Sequence, residues 1–381
     1  MVYLDYNATA PMTSAAREAM LPFLGAESGN PSSIHAAGRR ARAAVDDARD
    51  RLAALLGVRP HEIIFTGGGT ESCNLAVIGL ARAHAPRGRH LITSAIEHHA
   101  VLHAFEYLRH FEGFDVTVLP PDHTGAIDPG AVARAIRPET TLVSVMHANN
   151  ETGTIQPVGD IAEICRDRGV LFHTDAIQTF GKMAVRPHEL GVSALSVAAH
   201  KVGGPQGVGA LYLGAGIAIS RTSFGGAHEN TRRPGTENVA GIAGFAAAAE
   251  CAAASMDEAA PRLRSLRDSL WSAISDGCPG AIRNGDPARA LANTLNVSFP
   301  GADGEALLIG LDLEGVCASS GSACMVGSVQ ASHVLLAMGV APATALATVR
   351  FSLGRSTTES DVETAARAML RVLERQTVSA P

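Results

Sequence analysis

Lys201 closes the apolar run Ser196-Val197-Ala198-Ala199-His200-Lys201, which stops in the glycine-rich turn Val202-Gly203-Gly204-Pro205. A lysine at the end of a buried strand has its ammonium partly desolvated, which favours the free amine. A free amine is the group that forms a Schiff base with an aldehyde. Asp175 closes a second strand-like run, Phe172-His173-Thr174-Asp175, 26 residues upstream. A carboxylate at a strand end in an open sheet lies where such sheets bind ligands, and a buried one needs a cationic partner. The protonated ring nitrogen of pyridoxal phosphate (PLP) is one such cation; the plainer role for Asp175 is a helix N-cap.

Three further stretches carry chemistry. Gly67-Gly68-Gly69-Thr70-Glu71-Ser72 follows the strand Ile63–Thr66 and opens a helix. Glycines there let a backbone approach an anion at the positive end of a helix dipole, so the stretch reads as a phosphate cradle or a tight turn. Glu97-His98-His99 and His147-Ala148-Asn149-Asn150-Glu151 also end expected strands. His98, His147, His173 and Asp175 together lack the His-x-x-x-His or Cys-x-x-Cys spacing of a metal site, and no metal is expected. An imidazole stacked on a flat aromatic ring suits His98, and a pKa near neutrality would let it move protons. The segment Ser319-Ser320-Gly321-Ser322-Ala323-Cys324 is small and polar, so Cys324 is expected to be accessible, as a nucleophilic thiol must be.

The elements that position these residues follow from hydrophobic periodicity. Helical spacing covers Ser33–Leu56, Glu71–Ala83 and Val158–Arg168. Short β-rich runs stand at His90–Thr93, Val116–Leu119, Leu142–His147, Val170–Thr174, Ala194–Ala198 and Gly209–Leu213. This alternation predicts an α/β fold with a mainly parallel seven-stranded sheet flanked by helices. After an alanine-rich helix the pattern changes. Strands at Leu295–Phe299 and Thr348–Ser352, with helices at Glu305–Leu313 and Thr358–Glu374, predict a smaller α+β domain. The expected division is residues 12–257 for the large domain, and 1–11 with 258–381 for the small one that carries the cysteine loop.

Bulk composition sets limits. The 381 residues are 46% hydrophobic and 18% charged, with a net charge of −6, which argues against a general nucleic-acid or membrane-surface binder. The apolar stretch Val239–Ser255 is mostly alanine and glycine, interrupted by Glu250, and reads as a core helix and not a membrane span. Six cysteines without a Cys-x-x-Cys pair suit a reducing compartment, and Met1–Tyr6 has neither a basic nor an apolar secretion region. A cytoplasmic protein is the expectation.

Taken together, the segments resemble the cysteine desulfurases of the NifS/IscS type, within the class V aminotransferase (fold-type I) PLP enzymes. The likeness runs from Tyr3-Leu4-Asp5-Tyr6-Asn7-Ala8-Thr9 to Arg350-Phe351-Ser352-Leu353-Gly354-Arg355. It is carried most specifically by Gly29-Asn30-Pro31-Ser32-Ser33, Gly69-Thr70-Glu71-Ser72, Asn149-Asn150-Glu151-Thr152-Gly153, His200-Lys201 and the cysteine segment. The resemblance implies that Lys201 carries PLP, that Asp175 pairs with its ring nitrogen and that His98 stacks on the ring. Asn150 and Gln178 would stand near the ring oxygen and the substrate carboxylate. Gly69, Thr70 and His200 would hold the phosphate, joined by Thr236 from the second copy in a homodimer. Arg350 would grip the carboxylate of L-cysteine, and Cys324 would take its sulfur as a persulfide, leaving alanine. An acceptor protein, either an iron–sulfur scaffold or a thiolation carrier, would receive the sulfur.

The chain departs from that pattern in places. Ala198 replaces a serine that hydrogen-bonds the phosphate, which costs on the order of 1 kcal/mol. Asn230-Thr231 replaces an Arg-Gly pair, and Met325-Val326 replaces small polar residues. The competing readings are another PLP enzyme of the same fold (an aminotransferase or a selenocysteine lyase), or a non-catalytic sulfur-transfer scaffold, for which Ala198 is the supporting clue.

Overall fold

A computed structural model describes residues 1–25, 28–320 and 330–378. In chain order the strands are β1 (Val2–Tyr3), β2 (Ile63–Thr66), β3 (His90–Ser94), β4 (Asp115–Leu119), β5 (Thr140–Ser144) and β6 (Leu171–Asp175). They continue as β7 (Ala194–Ala198), β8 (Gly209–Leu213), β9 (Ile282–Asn284), β10 (Thr294–Ser298), β11 (Val316–Cys317) and β12 (Thr348–Ser352). Seven of them form the main sheet, in the order β2-β8-β7-β6-β5-β3-β4. Pairs from β4 through β7 are parallel, and only β8 runs against its neighbours β2 and β7.

Why this sheet is mostly parallel is visible in its burial. Every residue of β3, β5 and β7 is buried, and so is all of β6 except half-buried Leu171, as required of strands covered by helices on both faces. Among these strands only the edge strand β4 has exposed residues. The helix Ala36–Leu56 covers one face with Ala41, Val45, Ala48, Leu52 and Leu56, spaced to form one stripe. It starts later than the expected Ser33 because Asn30 Oδ1 accepts the Ser32 N–H and the Asn30 carbonyl accepts the Ser33 N–H, forming a turn. It ends at Gly57, whose φ of +68° makes the left-handed cap that glycine favours. The expected strand Leu142–His147 is shifted to Thr140–Ser144, though Val145 and His147 still donate to carbonyls of β6.

A three-stranded antiparallel sheet, β12-β10-β9, and the short parallel pair β1-β11 form the second layer. Its core gathers Leu4, Leu295, Val297, Val349 and Phe351. One 39-residue helix, Val239–Gly277, serves both cores: Ile242, Phe245 and Ala249 enter the first, and Leu266, Leu270 and Ile274 the second. The expected boundary at 257/258 falls inside it. The alanine-rich half packs along Ser14–Met20 and Ala36–Leu56, which accounts for its apolar character.

Candidate active site

Four strand ends converge on one edge of the main sheet. β6 ends in Asp175, β7 in Ala198 before a single 3-10 turn Ala199–Lys201, β2 in Thr66 before the glycines, and β3 leads through Glu97 to His98. This is the carboxyl edge of a parallel sheet, where open α/β sheets bind ligands.

Each side chain is held there by a local cause. Gly68 adopts φ +148°, a region closed to side chains, and hands the chain to the helix Gly69–His84. A Cβ at Gly69 would run into Ile177 Cδ1, so only glycine keeps this backbone bare. Gly69, Thr70 and His200 line one cavity with Thr9, and a neighbouring cavity joins Thr70 to His98. His200 Nδ1 meets Thr9 Oγ1 at 3.2 Å. His98 caps the helix His99–Glu112, its Nδ1 accepting the Ala100 N–H at 3.0 Å, so the neutral ring carries its proton on Nε2. Asp175 does not cap a helix. Its Oδ1 accepts the Ile177 N–H at 2.9 Å across a tight turn.

Lys201 Nζ donates to the carbonyls of Asn7 at 2.5 Å and Ala8 at 2.8 Å. Gln178 Nε2 donates to the same Asn7 carbonyl at 3.0 Å. Arg350 lies in the middle of β12, with its Nη2 on Asp5 Oδ1 at 2.9 Å and its Nη1 on the Asn150 carbonyl at 3.1 Å. Its Nε is buried without a hydrogen-bond acceptor among the described residues. The backbone of Arg350 exchanges two hydrogen bonds with Ser319, and Ser319 Oγ donates to Asp5 Oδ2 at 2.8 Å.

Burial dominates the electrostatics. It pushes the Asp175 carboxyl up to about 6, against the pull of the Ile177 N–H, Cys73 and the Lys201 charge. It pushes His98 down to about 4, helped by Lys201 and the neighbouring histidines, and His200 likewise to about 4. The near-neutral pKa expected for His98 is therefore corrected: its ring is neutral at pH 7. His147 and His173 spend ring nitrogens on Thr179, Ser144 and Ser196 hydroxyls, and no cluster of three metal-ligating residues occurs among the described residues. Ser196 is thereby committed and cannot stand in for the hydroxyl missing at Ala198.

The fold thus unites Gly69, Thr70, His98 and His200 on one side, and Lys201, Gln178, Asn150 and Arg350 around Asn7. Thr236 is exposed and lines neither cavity. Cys324 lies outside the described residues. The sequence reading gave no role to Asn7 or Lys182. Asn7 sits in the quoted N-terminal run, and Lys182 stands four residues after Gln178, a spacing that places both on one side of a turn.

A mostly parallel sheet with an amine, a buried carboxylate and a glycine cradle at its carboxyl edge defines a class, and the chain matches the aminotransferase class-V family over residues 2–364. It belongs to that family. It is 45% identical to "Cysteine desulfurase IscS" of Dictyoglomus turgidum over 380 residues, covering 100% of this chain and 96% of the relative. Among solved structures it superposes on a "NIFS-like protein" with TM-score 0.92 at 38% identity, covering 98% and 99% of the two chains. It also superposes on "SspA in complex with cysteine" with TM-score 0.81 at 35% identity, covering 93% and 99%.

These relatives depend on PLP, and the residues present fit that group. A planar phosphorylated aldehyde needs an amine, an anion cradle and a carboxylate close together, and the carboxyl edge of the sheet provides them in the Lys201 amine, the bare Gly69 backbone and buried Asp175, whose carboxyl feels the Lys201 charge.

Proposed function

We propose that this chain is a PLP-dependent cysteine desulfurase that converts L-cysteine to L-alanine, carries the sulfur as a persulfide on Cys324 and passes it to an acceptor protein. The observation that carries this reading is the backbone pairing of Ser319 with Arg350, which roots the Cys324 segment on the residue suited to hold a substrate carboxylate. The relatives' names supply the activity.

Residue roles follow from the chemistry. Lys201 would hold the cofactor, and its free amine would move the proton on the substrate Cα. Gly69 and Thr70 at the helix N-terminus, with His200, hold the phosphate. Asp175 would pair with the protonated ring nitrogen, a cation that would favour its anionic form. His98 would border the ring and offer Nε2–H. Gln178 and Asn150 border the ring oxygen and the substrate, and Arg350 takes the carboxylate with its planar fork. PLP, when bound, supplies the electron sink that makes the Cα proton removable. The Cys324 thiolate attacks the substrate sulfur; the carbon–sulfur bond breaks, its electron pair stays on carbon, and protonation there yields alanine.

The reading includes a homodimer, in which exposed Thr236 completes the phosphate cradle of the other copy. It places the enzyme in the cytoplasm, with an iron–sulfur scaffold or a thiolation carrier as acceptor. Residues 12–257 form the cofactor unit, and 1–11 with 258–381 the unit that presents Cys324. The test is Cys324→Ser. Sulfide release from cysteine should vanish while PLP absorbance persists. Undiminished sulfide release would sink the proposal, and turnover of an amino acid with a keto acid would favour an aminotransferase.

A further inference from the structure

Lys182 is half-buried and lines a cavity with Lys201, and the chemistry above gives it no task. Its Nζ donates to Asn7 Oδ1 at 2.9 Å and to Gln178 Oε1 at 3.0 Å. It reaches them because Gly181, at φ +72°, packs so closely on Val202 and Ala252 that a Cβ would lie 2.7 Å and 2.9 Å from their carbons. A lysine nitrogen has hydrogens to give both oxygens in either protonation state. That matters here because burial, with the charges of Lys201 and Arg350, lowers its pKa to about 7. No carboxylate of the described residues pairs with it; Asp5, the acid next to Arg350, is taken by Arg350 and Ser319.

We infer that Lys182 is a positioning residue for the cofactor, acting through Gln178 and Asn7. An amide of the Gln178 type can rotate by half a turn at little cost in shape, so its donor and acceptor ends are set only by its partners. Lys182 accepts nothing when protonated and faces Oε1. The Nε2–H group is therefore turned to the Asn7 carbonyl, which also receives Lys201. Asn7 is fixed in the same way. Its Oδ1 accepts from Lys182 and Asn293, its Nδ2 donates to Thr294 and to the Asn150 carbonyl, and its N–H donates to Ser352 Oγ. One ammonium thus sets the polarity of the amide network beside Lys201. With Lys182 removed, Gln178 Oε1 loses its hydrogen-bond donor among the described residues, and the amide is oriented by the Asn7 carbonyl alone.

This inference rests on the proposed PLP site, and its test separates the two. Apo-protein is titrated with PLP by fluorescence quenching, and the pH midpoint of the bound cofactor's visible band is measured. Lys182→Met should bind PLP about tenfold more weakly, the loss of one charge-assisted contact, and should raise that midpoint because a nearby cation is gone. Lys182→Arg should restore both. In a Gln178→Leu background Lys182→Met should change affinity by less than about twofold. If Lys182→Met fails to fold, Lys182→Gln must shift affinity and midpoint in the same directions. Wild-type affinity and midpoint in a folded Lys182→Met or Lys182→Gln protein overturn the inference and leave the PLP site standing. A lowered melting temperature with unchanged PLP properties means a structural role and also overturns it. Failure of the wild-type chain to bind PLP overturns both.

Discussion

The Lys201 side and the Arg350 side of the site handle polar groups in opposite ways. Around Lys201, burial opposes charge: Asp175 and Glu97 are raised to about 6 and 8, and His98 and His200 are lowered to about 4. Around Arg350, charges are paired: the residue is 3% exposed, yet its guanidinium holds Asp5 at 2.9 Å and the Asn150 carbonyl at 3.1 Å. The difference matches the tasks. In the proposed site a flat aromatic cofactor would meet groups whose charge burial opposes, whereas a substrate carboxylate would meet a paired guanidinium.

The comparison can be broken first by pH. Glu97 accepts hydrogen bonds from Ser94 Oγ and the Met146 N–H, and its buried Oε2 has no partner among the described residues. Its folded pKa of about 8 lies above the usual 4.5, so the stability it contributes is complete below pH 4.5 and is lost as pH rises through 8. Glu97→Gln should therefore lose less stability than the parent between pH 5 and pH 8, by about 3 kcal/mol, in urea melts at the two pH values. Equal slopes would show that Glu97 is ionised in the fold. On the paired side, Arg350→Lys keeps the charge but not the fork. It should raise KM for cysteine roughly tenfold or more with a smaller change in kcat, and an unchanged KM would remove Arg350 from the substrate.

The smallest effect sharpens the comparison away from the site. Glu229, Asn230 and Thr231 take φ of +46°, +54° and +66°, three successive non-glycine residues in the left-handed region. Pairing holds them there: the buried Glu229 carboxylate takes both Arg49 Nη atoms at 2.7 and 2.8 Å and the Phe65 N–H at 3.0 Å. Thr231 is β-branched and stands where the resemblance expects glycine. Thr231→Gly should stabilise the chain by about 1 kcal/mol in thermal or urea unfolding, and a destabilised variant would show that the turn is not strained.

Much of this was legible in the chain itself, for identifiable reasons. β7 and β8 have the limits expected of them, because buried strands bounded by glycine or polar turns leave little freedom. Asp175, Lys201 and the glycine cradle announced themselves as polar residues ending apolar runs. What stayed hidden depends on distant contacts. The pKa of His98 follows from burial and from charges on other elements, and Asn7 gains its meaning only when four other segments meet around it. β9 escaped notice because Ile282–Asn284 is three residues long and only its last residue is buried. The commitment of Ser196 to His173 likewise needed two strands side by side.

The helix Val239–Gly277 has a thermodynamic consequence. Its first half is part of one hydrophobic core and its second half part of the other, so neither core can melt without exposing a stretch of the same rod. Pro261, inside it, removes one backbone hydrogen bond at the span between them. The two cores are therefore coupled in cooperativity although they differ in architecture, and heat should unfold them as one calorimetric unit.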